Sequence, residues 1–118
     1  MGRPLTERER DVLTFMIERA VPFADDRPVP AGSRERWRQS VPSTTAGRGC
    51  ACGACPSIDL EDQHGQTPDG GDRIVLSAHH PKASLLLFID EDRLSYLELA
   101  PHGDEVWDHF PPVAELSL

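Results

Sequence analysis

The chain has 118 residues, the size of one domain, 1–118, and is long enough to bury a core without disulfides. Apolar residues make up 38%, with 11 Pro and 9 Gly, a loop-rich but not a disordered composition. The net charge of −8 argues against a nucleic-acid backbone as main partner, because phosphate contacts need clustered Lys and Arg.

The opening MGRPLTERERD has no apolar core of a secretory signal, and Gly2 is not followed by the myristoylation pattern. The longest apolar stretch, Ala83 to Ile89, is far short of the ~20 residues of a membrane span. The expectation is a cytoplasmic protein without a membrane partner. In a reducing compartment, three cysteines do not form a disulfide framework.

Thr6 with Glu9 forms a capping box. Behind it Val12, Leu13, Met16, Ile17 and Ala20 recur at helical spacing, which predicts an amphipathic helix over 7–20. Pro22 ends it. LTERERDVL resembles the first helix of response-regulator-type helix-turn-helix domains, but Pro22, Pro28 and Pro30 interrupt the helices such a domain requires. Phe23 to Gly32 reads as a connection. Ser33 is placed to cap a short second helix, Arg34 to Ser40, with Trp37 and Val41 inward and Arg34, Arg36 and Arg38 on its solvated side.

Strands are expected at 57–61, 73–78, 83–89 and 94–99, with a polar turn at Asp90-Glu91-Asp92. The nearly continuous apolar run 83–89, interrupted only by Ser84, suggests a strand covered on both faces. The stretch 104–118, with Trp107, Phe110, Val113 and Leu116, is expected to wrap a sheet edge in extended form. The fold class is therefore α+β: one or two N-terminal helices packed on a small antiparallel meander of about four strands.

The chemistry-bearing motif is Gly49-Cys50-Ala-Cys52-Gly-Ala-Cys55-Pro56, a C-x-C and a C-x-x-C sharing one cysteine. Small residues let such a backbone curl until several sulfurs converge, and zinc takes four ligands, commonly Cys₄, Cys₃His or Cys₂His₂. If 57–61 paired with 73–79 about a turn between Pro68 and Asp69, Ser57 would face His80. His79 or His80, one at most, would then supply a fourth ligand. His64 sits in the far turn, and the pattern assigns no place to His102 or His109.

Three readings of the cysteines stay open: a Zn²⁺ site, a redox or nucleophilic thiol, and reduced thiols that only pack. Cys52-Gly-Ala-Cys55 resembles the C-G-x-C of thioredoxin-like proteins, yet Pro56 leads into a strand and not a helix. A Cys55–histidine dyad lacks an orienting third group. The block GCACGACPSIDL, 49–60, resembles a family of short actinobacterial proteins with an N-terminal helix, a Cys-Gly-Cys-Pro-Ser-type block and a following small sheet. That resemblance implies the same layout and brings no activity.

No phosphate loop, H-E-x-x-H or G-x-S-x-G is present, and Asp90-Glu91-Asp92 is too short for a calcium loop. A catalytic role is not expected. Charge is lopsided: residues 1–55 hold nine Arg and seven acids, net +2, while 56–118 hold two Arg, Lys82 and thirteen acids, net −10. The leading expectation is a small acidic protein-interaction module, of the immunity or inhibitor type, that binds a basic protein partner through Asp90, Glu91, Asp92, Asp104 and Glu105. The alternatives are a thiolate zinc-binding protein and a thiol redox enzyme.

Overall fold

The computed structural model describes residues 2–23, 28–50, 52–68 and 70–118. Its α+β class is as expected, but the sheet has seven strands rather than about four. The elements in chain order are β1 (Arg3–Pro4), α1 (Glu7–Arg19), β2 (Val21–Pro22), α2 (Ser33–Ser40), β3 (Thr45–Gly49), β4 (Ile58–Glu61), β5 (Arg73–His80), β6 (Ala83–Asp90) and β7 (Arg93–Pro101). The sheet order is β1-β3-β4-β7-β6-β5-β2, antiparallel throughout.

The capping box forms: Glu9 N–H donates to Thr6 Oγ1 at 3.1 Å and Thr6 N–H to Glu9 Oε1 at 2.8 Å. Two orphan amides at the start of α1 are satisfied within its first turn. Val12, Leu13, Met16, Ile17 and Ala20 are all fully buried. The last carbonyls of α1 are met from α2: Arg34 donates to Ile17 O at 2.9 Å and to Ala20 O at 2.7 Å. Arg34 is thus a capping group rather than part of a solvated face. Helix α2 starts one residue earlier than expected, with Gly32 at φ 81° as its cap.

Strands β5, β6 and β7 form the expected meander, joined by Pro81-Lys82 and by Glu91-Asp92. Glu91 and Asp92 have φ of 52° and 63°, the pair of left-handed residues that a type I′ hairpin turn needs. Strand β6 is not covered on both faces. Ala83, Leu85, Leu87 and Ile89 are buried with the helices, whereas Ser84, Leu86 and Phe88 on the opposite face are half-buried. Phe88 there meets Tyr96 edge to face at 5.9 Å, with the Arg73 guanidinium 5.0 Å from its ring centre. These lateral contacts explain a nearly continuous apolar run on a strand with one solvated face.

The hairpin expected between 57–61 and 73–79 does not form. β4 pairs with β7 (Ile58 opposite Leu97), and β5 pairs with β6 (Arg73 opposite Asp90). A long connection, 62–72, carries the chain past two strands, which gives β4 to β7 a Greek-key order. Asp69, half of the turn assumed for that hairpin, lies outside the described residues. The segment after β7 does reach a sheet edge, where Ser117 and His79 exchange backbone hydrogen bonds of 2.7 and 2.8 Å, but it is not extended throughout: Val113–Glu115 form a 3-10 turn. No helix among the described residues is long and apolar enough to cross a membrane.

Candidate metal centre

Cys50, Cys52 and Cys55 sit in the loop between β3 and β4. Cys50 N–H donates to Ser57 O at 3.0 Å, which continues the β3–β4 pairing past a bulge between Ala46 and Gly49 and closes the loop at its base. Gly53, at φ 70°, lets the backbone double back over the sulfurs. Ala51 lies outside the described residues.

The result is a thiol cluster. Cys50 Sγ and Cys52 Sγ are 3.2 Å apart, Cys52 Sγ and Cys55 Sγ 3.3 Å, and all three sulfurs lie within 4.8 Å of one another. They lie close enough to hold a metal ion. No pair is bonded; a disulfide would be about 2.05 Å. A tetrahedral zinc with Zn–S of about 2.3 Å sets its thiolates about 3.8 Å apart, so each close pair need open by only about half an ångström.

The electrostatics favour a thiolate at Cys52. Ala54 N–H donates to its sulfur at 3.3 Å. That backbone bond first, and then the neighbouring Cys50 and Cys55 thiols, lower the Cys52 thiol to about 7. Cys50 moves the other way: the Cys52 backbone pulls it down, but the adjacent Cys52 and Cys55 thiols push it up to a net rise. Reduced protein given a limiting alkylating agent should therefore be labelled first at Cys52, with a rate that climbs as pH rises through about 7. Peptide mapping checks this; Cys50 reacting first would contradict the geometry. Close by, the Tyr96 hydroxyl is pushed up to about 12, by burial first and then by the charge of Cys50, and stays protonated.

The histidines fall elsewhere than expected. β7 and β6 stand between β4 and β5, so the end of β5 lies three strands away, about 14 Å at ~4.8 Å per strand. His80 has both ring nitrogens engaged, Nδ1 accepting from Lys82 N–H at 3.0 Å and Nε2 facing Glu115 Oε1 at 2.9 Å. Its ring also meets Trp107 edge-on at 5.1 Å. His79 is exposed beside Ser117, and His64 is exposed in the turn after β4. His102 Nε2 is 3.0 Å from Ser84 Oγ. His109 alone lines the same ≈340 Å³ cleft as Cys50 and Cys55, beside Arg3, Glu9 and Asp108.

Of the five expected docking acids, one, Asp90, is taken into the fold, and two more, Glu91 and Asp92, are exposed but carry intramolecular bonds. Asp90 is fully buried, accepting from Arg73 Nε at 2.6 Å and from Ser95 Oγ at 2.8 Å. Those bonds, Arg73 foremost, hold its carboxyl below the usual range. Asp92 accepts from Arg36 at 3.1 Å and from Trp37 Nε1 at 2.9 Å. Glu91 accepts from Asp72 N–H at 3.3 Å. Asp104 and Glu105 are exposed as well, and Glu105 pairs with Lys82 at 3.6 Å.

No protein-family model, curated protein or solved structure matches this chain.

Proposed function

We propose that the protein is a thiolate metal-binding protein in which Cys50, Cys52 and Cys55 hold a zinc ion. The observation that carries this reading is that three thiols converge within 4.8 Å at the surface, in a loop outside the core. Cysteines that only pack are among the most buried residues. Here Cys52 is exposed and its two neighbours are half-buried. A redox role on the thioredoxin pattern finds less support, because β4 and not a helix follows Cys55-Pro56. Three thiolates also suit zinc by softness and charge.

The expected result is one zinc per chain by native mass spectrometry of the reduced protein, lost on adding a strong chelator. An unchanged mass in stoichiometric zinc would remove the proposal.

A further inference from the structure

We infer that His109 is the fourth ligand of this centre, carried there by the segment after β7. The inference rests on the thiolate centre proposed above. Zinc bound for structure takes four ligands, and Cys₃His is one of its common sets. The loop supplies three.

The segment after β7 is anchored at two points that flank the cleft, one on that loop and one on α1. Trp107 N–H donates to Ala54 O at 2.9 Å, in the middle of the cysteine block. Phe110 is buried, and its carbonyl accepts from Arg8 Nη1 at 2.8 Å. Asp108 and His109 form an exposed bridge between these anchors, over the cleft that Cys50 and Cys55 line. Two extended residues span at most about 7 Å, so the Trp107 anchor keeps His109 near the loop. His109 stands outside the 4.8 Å group of thiols, so ligation requires this short exposed bridge to close on them.

The other donors of the cleft are committed. Glu9 takes two bonds from Arg3, both 2.8 Å, and one from Thr6 N–H. Ser57 Oγ accepts from Leu99 N–H at 2.9 Å. Asp108 and His109 have no side-chain partner among the described residues. Of the two, the imidazole is the usual companion of three thiolates on zinc. A metal so bound ties the β3–β4 loop to the segment that runs on to Ser117.

Cobalt(II) titration tests this, with sulfur-to-metal charge transfer reporting the thiolates and the d–d bands reporting the whole donor set. Wild type should show both, with the bands of a tetrahedral three-sulfur, one-nitrogen site. His109→Ala should keep the charge transfer, shift the d–d bands and lose affinity by at least the roughly 10- to 100-fold that loss of an outer-shell partner costs. Asp108→Ala and His80→Ala should match wild type. In wild type, zinc should also shield His109 from carbethoxylation. Unchanged bands and affinity in His109→Ala, loss in Asp108→Ala instead, or equal carbethoxylation with and without zinc would overturn the His109 assignment and leave the thiolate centre standing. Absence of charge transfer in wild type would overturn both.

Discussion

Trp37→Ala should destabilise the fold by about 3–5 kcal/mol in a denaturant titration, the range for removing a large aromatic from a packed core. Trp37 is 1% exposed and lies in the one hydrophobic cluster that joins both helices to the sheet. Its indole also fixes a turn: Nε1–H donates to Asp92 Oδ1 at 2.9 Å, on the residue at φ 63° between β6 and β7. Arg36, one residue earlier, donates to the same carboxylate. Helix α2 therefore packs on the sheet and holds the β6–β7 hairpin turn in its left-handed conformation. Trp37→Phe separates the two effects. It keeps most of the buried area and gives up one hydrogen bond to a half-exposed acid, a loss of about 1 kcal/mol. A Trp37→Ala protein within 1 kcal/mol of wild type would mean that this contact is not part of the folded core.

Zinc at about a thousand times its dissociation constant should add about 4 kcal/mol to the unfolding free energy, less any affinity of the unfolded chain for the metal. For a domain of this size that is a rise of roughly 10–20 °C in midpoint. The Cys50→Ser, Cys52→Ser, Cys55→Ser triple variant should show no rise. These are surface positions without core packing, so the variant should unfold near the midpoint of wild type kept in chelator. A zinc-dependent rise that survived in the triple variant would place the stabilising ion elsewhere. Identical melting of wild type in zinc and in chelator would leave the cluster without a thermodynamic role.

Where each structural signal was local, the sequence was legible. Helix α1 follows from Thr6, Glu9 and the stripe from Val12 to Ala20, all inside one stretch of chain. Strands β5 to β7 follow from alternation and from two-residue turns. β3, with the sequence TAGRG, carries no apolar alternation. It is a strand because β4 and β1 pair with it on its two sides. β1 and β2 are two-residue strands containing proline, and only the finished sheet creates them. The convergence of Cys50, Cys52 and Cys55 was readable because it is a loop property. The fourth ligand was not, because choosing a histidine needs the strand order. Pairing neighbours in sequence pointed to His79 and His80. The actual pairing of β4 with β7 sets β5, and with it those residues, three strands from β4, and the histidine that lines the cleft is His109. The bonding of the acidic turn was hidden for a related reason: counting charges does not reveal that Arg73, Ser95, Arg36 and Trp37 converge on Asp90 and Asp92.

The outer edge of β5 carries a further consequence. An eight-residue strand at a sheet margin would normally offer a ladder of free amides and carbonyls to any other extended chain. Here that margin is shared out between two short, unrelated pieces. Val21 and Pro22 lie against Ser77 and Leu76, Phe23 N–H donates to Val75 O, and Ser117 covers His79. The proline brings no donor of its own, so it shields without extending the ladder. Strand addition at this side, whether by a peptide or by a second copy on the way to a fibril, must first peel away one of these covers. The segment that pairs with His79 thus doubles as a guard against aggregation.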